Sequence, residues 1–188
     1  MTLKTWRFVG FDDGFRSLRE RRAHLVGCVT AGCRVEGFLY STVEVDGLDV
    51  TDRICDLVTS SKFRKQIACI FLYNITFAGM IVADIHLISE RTGKAVISVT
   101  KKRSSIENLI VPARKAGDGA DVEKRLEILR KAGDPCLVNG VYVHISGCSV
   151  EDAEKFLKAS TCVGKIPECL RVAHLAASAL AYGESKKA

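Results

Sequence analysis

The stretch WRFVGFDDGF, residues 6–15, is the one on which the fold turns. Phe8, Val9, Phe11 and Phe15 flank Gly10 and run into two adjacent carboxylates, Asp12 and Asp13, followed by Gly14. Apolar residues on consecutive positions mark a strand covered on both faces, here about 6–12. Such a strand either ends in acids that hold a metal ion or stops at a polar turn. Alternation places Asp12 and Asp13 on opposite faces, and the local sequence does not select between them.

Outward from it, HLVGCVTAGCRVEGFLYSTVEV, residues 24–45, predicts two strands joined by a tight turn around Ala31 and Gly32. Ile54, Leu57 and Val58 have helical spacing, so a helix is expected over 50–60, with Asp49 and Asp52 read as capping residues. The nearly continuous apolar run after Gln66 predicts a buried strand over 67–74, and Gly79 to Ser89 a helix packed on the sheet. AVISVTK, from Ala95, reads as another strand. A capping box from Ser104 to Glu107 opens a helix, and a second helix stops at Gly133 and Pro135. CLVNGVYVHISG, 136–147, alternates like a strand, and Ser149 caps a helix through about 160. The last helix, between Pro167 and Gly183, is rich in alanine and is expected to lie flat on a sheet or another helix.

Length and composition bound the rest. The 188 residues suffice for one domain, and 47% hydrophobic with 27% charged residues is globular rather than disordered. A net charge of +6 is compatible with a nucleic-acid partner. No apolar run is long enough for a membrane span and no secretory leader is visible, so the expected location is cytoplasmic. None of the eight cysteines is spaced C-x-x-C, which disfavours structural zinc. Most are read as buried reduced thiols. If CVTAGC turns on Thr30 and Ala31, Cys28 and Cys33 face each other, and a disulfide there belongs to an oxidising or hyperthermophilic setting.

Element order gives β-β-β-α-β-α-β, which belongs to the ribonuclease H-like α/β architecture: a mixed five-stranded sheet flanked by helices. Four stretches point the same way: FVGFDDG near the start, VDGLDVTD at 45–52, ITFAGMIVADI at 75–85, and the ending IPECLRVAHLAASALAYGES. Together they resemble a family of archaeal proteins of unknown function, distantly related to endonuclease V. That resemblance implies the ribonuclease H-like fold. It also implies an ancestral activity of phosphodiester hydrolysis, with magnesium or manganese held by carboxylates at neighbouring strand ends.

By that analogy Asp12, Asp13 and Asp46 are the candidate catalytic acids, and Glu44 joins them as a candidate metal ligand. The third acid should follow CIFL, but Tyr73 and Asn74 stand there, and Asp84 lies about ten residues farther on. The loop with which endonuclease V opens a duplex has no counterpart between the second and third strands. Both departures favour, as an alternative, a binding or scaffold protein without catalysis; an enzyme acting on a small nucleotide-type substrate is a third reading. Lys101, Lys102, Arg103 and Arg171 are the candidate nucleic-acid contacts, with Arg114-Lys115 and Lys124-Arg125 extending a basic stripe toward DNA or RNA. His86 and His174 sit in apolar helical settings and are read as structural; His24 and His144 have no partner in view. A homo-oligomer is compatible with all of this.

Overall fold

The computed structural model describes residues 6–186. Strand β1 spans Arg7–Gly14, β2 Arg22–Ala31 and β3 Arg34–Glu44; helix α1 (Val50–Ser60) then leads to β4 (Ile67–Tyr73). A short ribbon, β5 (Thr76–Phe77) and β6 (Ile81–Val82), precedes α2 (Ile85–Thr92) and β7 (Ala95–Thr100). Helices α3 (Ile106–Lys115) and α4 (Gly119–Ala132) are followed by β8 (Cys136–Val138), β9 (Val141–Ser146), α5 (Val150–Ser160) and α6 (Glu168–Tyr182).

The main sheet has seven strands in the order β3-β2-β1-β4-β7-β9-β8. The five expected strands form its body, with β1, β4 and β7 mutually parallel and β2 antiparallel to both β1 and β3. Beyond β7 the sheet continues through antiparallel β9 and β8. Residues 136–147 therefore make a hairpin rather than one strand. Its turn is Asn139-Gly140, both at positive φ (50° and 76°), the conformation a two-residue hairpin turn requires.

Two apolar layers sandwich the sheet. Val9, Phe11, Ile70 and Leu72 pack with Ile54, Ile88, Leu126 and Leu129 on one side. Phe8, Phe71, Ile97 and Val143 pack with Leu157 and Leu170 on the other. The odd and even positions of β1 thus serve different layers, as the pleat demands. Helix α6 lies flat on β1, β2 and β4, as its small residues suggest. Gly10 makes this possible: a Cβ there would sit 2.6 Å from the backbone of Cys169 and Leu170. Gly14 is pressed against the carbonyl of Ala177 in the same way.

Three local expectations are corrected. The segment after Gly79 does not begin a helix; it makes β6, and α2 starts only at Ile85, where Asp84 accepts from the N–H groups of His86 and Leu87. The box from Ser104 to Glu107 does not close: Ser105 is the N-cap without a side-chain bond, and the Ile106 N–H goes to Asp134 instead. Cys28 does not pair with Cys33. It is a buried free thiol on β2, opposite Phe38, whereas Cys33 in the β2–β3 turn is joined to Cys162 in the α5–α6 connection.

Candidate active site at the carboxyl edge of the sheet

Because β1, β4 and β7 are parallel, their C-terminal ends, at Gly14, Tyr73 and Thr100, open on one edge. Strand β3, parallel to β1 through the intervening β2, brings Glu44 to that edge as well. Ligands of α/β sheets bind at this kind of edge.

Asp12 is the even-numbered acid of β1 and faces α6. It is buried, 5% exposed, and its Oδ2 lies 2.7 Å from His174 Nδ1. Burial raises the Asp12 carboxyl above the ordinary carboxylate range, and the hydrogen bond and charge of His174 pull it partly back. His174 is stacked against Tyr73 at 5.5 Å between ring centroids and 23° between planes. The aromatic residue found where a third acid was expected therefore walls the imidazole. Asn74, at φ 82°, turns the chain out of β4 and uses its Oδ1 on the N–H of Ile75, 2.8 Å away.

Asp13 faces the opposite layer. Burial raises its carboxyl to about 7, the neighbouring Asp12 charge adds to the rise, and a hydrogen bond from the Ala78 N–H opposes it. The segment that supplies this amide is itself constrained, with Ala78 at φ 34° and Gly79 at φ 88°. Asp46, also at positive φ (56°), fastens the same segment: its N–H donates to the Ala78 carbonyl at 3.0 Å and its Oδ1 accepts from the Met80 N–H at 2.8 Å. Asp46 thus shapes the loop that touches Asp13.

Asp13, His174 and Ser178 line an open pocket of about 420 Å³. Lys101, Arg171 and Tyr73 line a neighbouring one of about 320 Å³, so the Tyr73–His174 stack stands between the two.

The remaining acids are exposed or held by other partners. Glu44 is exposed, and its N–H, not its carboxylate, contacts Asp49 Oδ1 at 3.2 Å. Asp49 is the N-cap of α1 but makes no side-chain capping bond; Asp52 pairs with Arg91. Asp84 caps α2 and lies 3.8 Å from Lys131. Oxygen donors suit magnesium or manganese. Yet Asp12 is turned to His174 and Asp46 to a main-chain amide, and among the described residues no three His, Cys, Asp or Glu side chains converge on a point that an ion could occupy.

The basic residues divide similarly. Lys101, Lys102 and Arg103 are exposed just past β7. Arg171 is held by Glu168, Nε to Oε2 at 2.8 Å and Nη2 to Oε1 at 2.6 Å. Arg125 does not belong to a surface stripe: it is 1% exposed and donates to the carbonyls of Asp46 and Gly47, bolting α4 to the β3–α1 turn.

His174 is the site residue that sequence reasoning missed. Its signal was present: it lies on the stripe with Leu170, Ala173 and Ala177 that packs on β1, at the level of the strand's acids.

The profile of the endonuclease dU family matches residues 4–181. This chain belongs to that family. A UPF0215 protein of Archaeoglobus fulgidus is 40% identical to this endonuclease dU family member over 184 residues, 98% of each chain. A crystal structure of a protein of unknown function from the same organism superposes with a TM-score of 0.88 at 39% identity, covering 95% of this chain and 99% of that one. Endonuclease V of Ciona intestinalis, bound to DNA containing an inosine, superposes with a TM-score of 0.57 at 17% identity over 89% of this chain and 81% of that one. This last likeness is one of fold, and it identifies the endonuclease V-like, ribonuclease H-like architecture expected from element order and the four stretches. Among the described residues no helix is long and apolar enough to cross a membrane.

Proposed function

We propose that this protein hydrolyses a phosphodiester bond of DNA beside a deoxyuridine. The observation that carries the reading is geometric: a buried Asp12–His174 pair and a half-buried Asp13 stand together at the carboxyl edge of the sheet, the latter two on the wall of one open pocket. The family name supplies the substrate class. The fold neighbour holds DNA with inosine, which, like deoxyuridine, is a deaminated nucleoside.

Hydrolysis needs a proton taken from attacking water and one returned to the leaving oxygen. An imidazole oriented by a buried carboxylate is suited to proton transfer, and Asp12 holds His174 in place for it. Asp13, with its carboxyl raised to about 7, is divided between acid and base near neutrality. Among the described residues no three such side chains converge on one point, so no step is routed through magnesium or manganese. The assay therefore includes both ions and a chelator.

The test is cleavage of an end-labelled oligonucleotide carrying one deoxyuridine, against the same strand with thymidine. Cleavage confined to the deoxyuridine strand, and reduced at least about a hundredfold by Asp13→Asn or His174→Ala, is the expected result. A second reading has one observation in its favour: Tyr73 and Asn74 replace the third acid. In that reading the protein binds deaminated strands without cutting them. Absence of cleavage on deoxyuridine, inosine and RNA strands under every ion condition, with binding retained, would establish it. A cytoplasmic location joins the proposal; with a disulfide, that combination is characteristic of hyperthermophiles.

A further inference from the structure

Two cations border the Asp13–His174 pocket, and neither is accounted for by the carboxylates. Arg16, in the β1–β2 connection, donates through Nε to the carbonyl of Ala181 at the C-terminal end of α6. This anchors the guanidinium where the helix dipole favours a positive charge. Lys186 lies near the same end of α6, with its ammonium 3.2 Å from the ring centroid of Tyr182. Tyr182 is itself fixed by donating to the Phe15 carbonyl at 2.9 Å. The chain after α6 is folded back to place this lysine: its N–H donates to Ser178 Oγ at 3.1 Å, and Ser185 Oγ donates to the Leu175 carbonyl at 2.9 Å. Among the described residues no carboxylate is ion-paired with Arg16 or Lys186. Both line the same pocket of about 420 Å³ as Asp13 and His174.

A pocket with a carboxylate on its wall repels a phosphodiester unless cations on its rim offset the charge. We propose that Arg16 and Lys186 form a phosphate clamp, holding the nucleic-acid backbone at the rim of this pocket next to Asp13 and His174. The clamp rests on the reading of the pocket as a phosphodiester hydrolase site, and it names the substrate contacts that reading lacks. It also assigns the segment after Gly183 to substrate binding.

Fluorescence anisotropy with a labelled deoxyuridine 16-mer, titrated over a range of salt in an Asp13→Asn background, tests it. Each phosphate contact contributes about one unit or slightly less to the slope of log affinity against log salt. Arg16→Gln and Lys186→Gln should each weaken binding about tenfold and lower that slope by about one, and the double variant by about two. Arg16→Lys should recover the slope, and Lys62→Gln, on the α1–β4 connection, should leave it unchanged. An unaltered slope in the double variant overturns the clamp, as does absence of binding in the parent. If binding follows the expected slopes but the wild-type protein cuts nothing, hydrolysis fails and the clamp stands. If cleavage is present and the slopes do not move, the clamp fails and hydrolysis stands.

Discussion

Asp12 and Asp13 are neighbours in sequence with opposite surroundings, because one points to α6 and the other to the constrained segment at Ala78. Both carboxyls are raised, chiefly by burial. A raised carboxyl holds its proton more tightly in the folded than in the unfolded state. Its contribution to stability is full below the ordinary carboxylate range and is lost as pH rises through the folded value, about 7 for Asp13. Stability measured by urea unfolding should therefore fall between pH 5 and pH 8. Asp13→Asn removes the cost of the buried charge. At pH 8 it should stabilise the protein by about 2 kcal/mol after allowance for partial exposure, and by much less at pH 5. A variant that is more stable and inactive marks a carboxylate kept for chemistry rather than folding. A variant that is less stable at pH 8 assigns Asp13 a structural role.

At the scale of elements, the pairing of Asp12 with His174 depends on how closely α6 approaches β1. That approach is set by Gly10 and Gly14 against the backbone at Cys169, Leu170 and Ala177. Gly10→Ala must lift the helix or deform the strand, since the new methyl meets main-chain atoms rather than a side chain able to rotate. The expected cost is about 2–3 kcal/mol in unfolding free energy, with cleavage lost more steeply than stability because the imidazole is displaced from Asp12. Full activity in Gly10→Ala would remove the argument for close approach. The helix itself was legible: alanine-rich sequence, Pro167 before it and Gly183 after it bounded α6 correctly. Its partner strand was not, because small residues announce a close contact without saying with what.

On the scale of the whole molecule, the Cys33–Cys162 bridge ties the β2–β3 turn to the α5–α6 connection across a separation of 129 residues. Closing so long a loop in the unfolded chain stabilises the fold by about 4–5 kcal/mol in the chain-entropy description. Treatment with a reductant, or Cys33→Ser, should lower Tm by about 10 °C, with Cys28→Ser as a control that leaves the bridge intact. No shift on reduction would show that the unfolded state is already compact. The Cys28–Cys33 pairing suggested by local spacing failed for a physical reason. Cys28 points into the layer between the sheet and α6, while Cys33 sits in the turn and reaches a segment that arrives 129 residues later.

Local chemistry alone determined most elements of this protein. The buried run of β1, the Val50–Ser60 and Val150–Ser160 helices, and the stops at Gly133 and Gly183 follow from periodicity, caps and backbone permissiveness, which act within a few residues. The resemblance to the endonuclease V-like family rested on the same contiguous stretches. Tertiary structure decided the site. It joined Asp12 to a histidine 162 positions away, set Asp46 to fasten the loop at Met80, buried Arg125, and gathered Arg16 and Lys186 around one pocket. Each of these depends on which strand ends share an edge and which helix lies above them, a relation between segments that no single stretch of sequence contains.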